Sequence, residues 1–167
     1  MNIEIINCIE KLVPNAKFYG VFVNNTEEEY NNIIWADERP KPTWENIIIT
    51  KLDVAKEIKI EEIKVSHENS FFLGADTSFG FKVDCRPSDI SNWTSSLTLL
   101  QTLGENAPNI SIRDFTNETH ELTFDQYKQL CIELGNHYLG LYYKKWDLED
   151  KVKNAKTISE LELISWD

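Results

Sequence analysis

Nowhere in its 167 residues does the chain approach the roughly 18 to 20 consecutive apolar residues of a membrane span, so membrane insertion is not expected. Glycine is sparse, and its six copies form neither a dinucleotide fingerprint nor a phosphate loop. Positive charge is also short. Seventeen Lys and Arg stand against 28 Asp and Glu, for a net charge of −11. The densest basic pair, Lys144-Lys145, runs straight into Asp147, Glu149 and Asp150. Such a chain repels a phosphate backbone, which argues against nucleic acid as a partner.

Reactive groups are equally thin. The three cysteines, Cys8, Cys85 and Cys131, are odd in number, far apart and set among apolar residues, so they read as small buried hydrophobes and not as a disulfide scaffold. There is no Cys-x-x-Cys and no His-x-x-x-His, and His67, His120 and His137 are widely separated, so neither a metal nor a cofactor is expected. The cluster Asp147, Glu149 and Asp150 could be imagined as paired carboxylates for acid and base work. It reads more simply as a solvated helix border, and with no nucleophile and base in a known pattern the chain is not expected to be an enzyme. Glu4 and Glu10 stand where a signal peptide would be basic and then apolar, which points to a cytoplasm.

What is present is a globular composition, 41% hydrophobic and 11% aromatic. The apolar pattern predicts an α+β fold of two small modules. Residues 1–65 read as an N-terminal helix, a strand pair and a connecting helix. Ile5, Ile9 and Leu12 share a helical face that Pro14 ends, residues 17–23 and 30–35 read as two antiparallel strands, and Thr43 offers a cap after Pro40 and Pro42. Residues 47–65 carry both signals, a helical charge pattern and near-alternating Ile58, Ile60 and Ile63, and stay open between helix and strand. If helical, Ile47, Val54 and Ile58 form a partial seam for self-association, broken at Lys51 and Glu61, or pack on their own chain.

After a polar loop at 67–70, residues 71–167 read as a C-terminal module, a short antiparallel sheet packed with two or three helices. Phe79, Phe81, Val83 and Cys85 alternate on one strand face, and Ile90, Trp93, Leu97 and Leu100 recur at helical spacing up to Gly104. A hairpin turns at Asn117. Thr123 with Gln126, and Thr157 with Glu160, have capping-box spacing before a long helix reaching Trp146 and a short final one.

The order Gly80-Phe81-Lys82-Val83-Asp84, the helix over 88–103, Ile112-Arg113-Asp114-Phe115, His120-Glu121-Leu122-Thr123, the long helix and Ala155-Lys156-Thr157-Ile158-Ser159-Glu160-Leu161 resembles a small domain of unknown function found in bacteriophage and prophage tail proteins. That domain is commonly encoded beside or fused to tail-fibre and tail-fibre-assembly proteins. The resemblance covers roughly residues 72–167. The front half is similar in outline to small tail-region proteins of phage-like elements, through Val13-Pro14-Asn15-Ala16, Ile34-Trp35 and Lys41-Pro42-Thr43-Trp44-Glu45. The chain lacks a fibre-forming repeat and a receptor-binding tip signature.

The resemblance implies a non-enzymatic tail protein, an adaptor or accessory component at the tail fibre or baseplate, with tail-fibre or baseplate proteins as partners and homo-oligomers possible. It would reside in the virion tail, or in the host cytoplasm during assembly. The alternatives are an assembly chaperone not retained in the virion and a carbohydrate-binding module. The surplus aromatics, Tyr142, Tyr143 and Trp146 with Trp35 and Trp44, are the candidate partner interface, because aromatic side chains dominate interface hot spots.

Overall fold

The computed structural model describes residues 3–104 and 107–167. The fold is α+β, 60% helix and 10% strand. The order is α1 (Ile5–Leu12), β1 (Phe18–Tyr19), α2 (Glu27–Asn32), β2 (Ile34–Trp35), α3 (Trp44–Ser70), a 3-10 turn (Phe71–Leu73), β3 (Ala75–Asp76), β4 (Lys82–Val83), α4 (Pro87–Leu103), β5 (Ile110–Arg113), β6 (Thr119–Leu122), α5 (Phe124–Asn154) and α6 (Ile158–Glu162). The strands form three separate antiparallel pairs, β1-β2, β3-β4 and β5-β6.

Contacts divide the chain into two compact units. The first runs to Ile63 and takes in Leu148–Ser165 and Asp167, while the second is Lys64–Asp147 with Trp166. The stretch from Leu148 to Ser165, expected with the C-terminal module, thus belongs with the N-terminal elements. Lys56 Nζ donates to the Lys153 carbonyl at 2.8 Å across 97 positions of sequence. Helices α3 and α5 each contribute to both units, which a reading that gives every stretch to one module cannot register.

In the first unit, residues 30–35 are not one strand. Thr26 Oγ1 accepts from the Glu29 N–H at 3.3 Å and Glu29 returns the bond to the Thr26 N–H, so a capping box starts α2 and puts Tyr30 on a helix. Only Phe18–Tyr19 and Ile34–Trp35 pair, with Phe18 opposite Trp35. Thr43 caps α3 as its sequence suggests, with Asn46 as the reciprocal partner. The ambiguous 47–65 is helix, and so is the expected loop at 67–70. The buried positions Ile47, Thr50, Val54, Ile63, His67 and Ser70 are spaced for a helix, not a strand. Ile47 and Val54 are core residues of their own chain, so they offer no seam to a second copy.

The second unit is built on one cluster. Ala75 (β3), Val83 (β4), Ile112 (β5) and Leu122 (β6) bury with Cys85 against Tyr127, Leu130 and Leu134 of α5. Ile90, Trp93, Leu97 and Leu100 pack on it from α4, the expected face. The strand expected over 79–85 is shorter. Phe79 and Phe81 stack on each other at 5.9 Å beside a tight turn, and Ala75–Asp76 supplies an antiparallel partner that the sequence pattern did not reveal. Thr123 and Gln126 exchange both capping bonds, and α5 continues eight residues beyond Trp146. Before α6, Thr157 Oγ1 accepts from Glu160 N–H, but the returned bond goes to the Lys156 N–H. All three thiols are free, with Cys8 and Cys85 buried. Desolvation raises all three thiol pKa values, that of Cys131 to about 11.

Gly74 is where the hairpins meet. Its φ of +69° suits glycine, and a Cβ there would sit 2.7 Å from Phe115 Cδ2 and 2.9 Å from Lys82 Cγ. Phe115 in turn donates its N–H to the Lys82 carbonyl at 2.8 Å, so the crowded atoms are held in place. Gly74→Ala should lower stability by about 1–3 kcal/mol. Gly80→Ala, also at positive φ but with no atom within 4 Å, should cost only about 1 kcal/mol. Paired denaturant titrations check the order.

Candidate functional site

Three arrangements in the second unit carry enough chemistry to consider. The first is a cluster of acid and imidazole groups at the β5-β6 turn. Asn117 sits at φ +67°, a conformation that asparagine tolerates. Inside the turn, Asp114 Oδ1 accepts from the Thr116 N–H at 2.8 Å, the Thr116 hydroxyl at 2.8 Å and the Glu118 N–H at 3.0 Å. Asp114 Oδ2 lies 2.9 Å from His120 Nε2. The His120 ring stacks on Phe81, with 4.0 Å between centroids.

Asp114, Glu118 and His120 are the one group among the described residues with metal-ligating atoms within 4.8 Å of one another. Both Asp114 oxygens are already engaged by four donors, however, and the carboxylate is buried. The cluster reads as a hairpin lock at the turn expected around Asn117.

The second arrangement is an aromatic groove, and it brings one predicted residue together with several unpredicted ones. The His67 ring is buried edge-on to Phe71, Tyr142 and Trp166, with centroid distances of 4.8, 4.6 and 5.8 Å. Tyr138 joins Phe71 at 5.3 Å, and its hydroxyl lies 3.3 Å from that of Tyr142. Beside this cluster lies a groove of about 610 Å³, with His67, Phe71, Phe72 and Tyr142 along it and Glu68, Arg86, Ser88 and Lys145 at its polar margin. Phe72 stands 64% exposed. Arg86 is held by Asp89, Nε to Oδ2 at 2.7 Å, at the start of α4. A smaller groove, about 290 Å³, lies by Trp93 and Tyr127. Burial pushes the Tyr127 phenol up to about 12, so it remains a neutral hydrogen-bonding group.

The third is the outer face of α5, where Tyr143 and Trp146 contact each other at 5.7 Å and remain exposed. The predicted aromatic set therefore divides. Tyr142 is half-buried on the groove, Tyr143 and Trp146 face outward, and Trp35 and Trp44 lie in the first unit. There Trp35 stacks on Phe18 at 6.2 Å and donates Nε1–H to the Arg39 carbonyl at 2.7 Å. Trp44 packs on Tyr30 at 5.6 Å. Both are half-buried parts of that unit's framework.

Phe71, Phe72, Arg86 and Lys145 were not singled out from sequence. Reading 67–70 as a loop hid Phe71, although His67 and Phe71 stand four residues apart, the spacing of neighbours on one helical face. No helix among the described residues is long and apolar enough to cross a membrane. A family model described as "Domain of unknown function (DUF4376)" matches residues 54–165. No curated protein and no solved structure matches.

The lock makes a pH prediction. Hydrogen bonding to His120 first, and to Thr116 and Glu118 after it, holds the Asp114 pKa down at about 2 against burial. An ordinary aspartate titrates near 3.9. A depressed folded-state value means that the stabilisation is complete above about pH 4 and is lost as pH falls towards 2. Melting temperature measured from pH 5 to 2 should therefore fall more steeply in the wild type than in Asp114→Ala, which should start lower at pH 5.

Proposed function

The chain belongs to the DUF4376 family, and on that premise we propose a non-enzymatic bacteriophage tail protein, an adaptor or accessory component that works through protein surfaces at the fibre or baseplate. Support for the setting is the resemblance in order and spacing carried by residues 72–167. Support for the mode of action is the groove. Its aromatic wall, one strongly exposed phenylalanine and polar margin have the anatomy of a hot-spot pocket with its surrounding rim. The occupant is a segment of a tail protein that places an apolar side chain against Phe72 and Tyr142. Acidic groups on that segment would meet Arg86 and Lys145.

The test is co-purification of the tagged chain from cells assembling phage. Wild type should bring down a fibre or baseplate protein, and Phe72→Ser with Lys145→Glu should weaken that capture roughly thirtyfold while leaving the melting temperature within a few degrees. Retention in purified particles separates a virion component from an assembly chaperone. Recovery of no tail protein at all would reject the assignment.

A further inference from the structure

Helix α5 has two apolar faces, and the described residues of the chain cover only one. Tyr127, Leu130 and Leu134 are buried in the core of the second unit. On the opposite side Ile132, Leu139, Tyr143 and Trp146 are 48%, 47%, 59% and 50% exposed. At 3.6 residues per turn these four fall within about 60° of arc, and the stripe from Ile132 to Trp146 is about 21 Å long. Exposed apolar residues scattered singly need no explanation, but four in one line on one helix do.

Gly135 lies beside the same line. Glycine is among the poorest residues for a helix interior, yet a Cβ at 135 would meet no atom within 4 Å, so nothing among the described residues requires its absence. A glycine there leaves the helix backbone open to a close approach from outside, as it does at Gly140.

We propose that a second copy of this chain covers the stripe, with the two α5 helices packed antiparallel and Leu139 on the two-fold axis. Helix spacing then sets the small Gly135 against the partner's large Tyr143, and Ile132 against the partner's Trp146. Farther along the same line stand Lys128 and Asp150, both exposed, which the axis places opposite each other in both directions. Within one chain the Asp150 carboxylate accepts from the exposed Lys153 on its own helix at 2.9 Å, and its backbone carbonyl accepts from Asn154 Nδ2. A parallel pair would set Lys128 against Lys128 and Asp150 against Asp150, so charge selects the antiparallel arrangement. A contact this short lies at or below the roughly 1,200 Å² of stable interfaces, so the dimer dissociates on dilution. The inference does not depend on the tail assignment, because the groove beside Phe72 lies on other residues.

Sedimentation equilibrium of the full chain across the micromolar range tests it. The wild type should pass from monomer to dimer with rising concentration, and Leu139→Asp should weaken association at least thirtyfold with an unchanged circular dichroism spectrum. Gly135→Leu should weaken it roughly tenfold while raising the melting temperature of the dilute monomer, a pair of effects that a purely intrachain role does not produce. Lys128→Glu and Asp150→Lys should each loosen the dimer and together restore it. A wild type that stays monomeric at high micromolar concentration overturns the proposal, as does a dimer unaffected by Leu139→Asp. If Leu139→Asp instead abolishes capture of a tail protein from a monomeric wild type, the stripe belongs to that partner and not to a second copy.

Discussion

The second unit depends on one requirement, that helix α5 bury its inner face. Two-stranded hairpins are marginal by themselves in water, and this unit contains two of them. Each contributes a residue or two per strand to a shared core, Ala75 and Val83 from one and Ile112 and Leu122 from the other, against Tyr127, Leu130 and Leu134. Remove the helix and both hairpins lose the wall that Tyr127, Leu130 and Leu134 supply, leaving only the half-buried face of α4. The tight approach at Gly74, the Phe115 to Lys82 bond and the Asp114 lock are local devices that shape the hairpins once that wall is in place.

Elements with a strong local signal were legible in the sequence. The α4 face through Ile90, Trp93, Leu97 and Leu100, the turn at Asn117 and the Thr123–Gln126 capping box each rest on spacing within one segment, and each stands where expected. Misreadings came where two signals competed. Around Tyr30 the aromatic and β-branched residues favour a strand, but Thr26 and Glu29 cap a helix, and the cap prevails because it satisfies backbone donors at once. At 67–70 polar residues suggested a loop, whereas His67 and Ser70 are buried on the last turns of α3. The Ala75–Asp76 strand is too short for any periodic pattern. The groove was hidden for the related reason that Phe71, Arg86 and Tyr142 come from three separate segments, and sequence spacing carries no information on their convergence.

Two apolar surfaces of different shape stand among the described residues of this acidic chain. The groove is concave, bounded by cations and a carboxylate, and suited to selecting one side chain from a partner. The outer stripe of α5 is linear, built from repeated apolar side chains around a glycine, and suited to another helix. With a net charge of −11, copies of the chain repel one another in most orientations, so the proposed association would depend on apolar contact at defined places.

The buried thiols have a practical consequence. Desolvation keeps the half-buried Cys131 in its neutral thiol form at neutral pH, and Cys8 and Cys85 add steric closure to raised values of their own. Alkylating reagents therefore reach Cys8 and Cys85 at the rate at which the structure around them opens. One sits in the first unit and the other in the second. The native chain thus carries an intrinsic clock in each unit, and the modification kinetics of the two thiols report whether the units open together or apart.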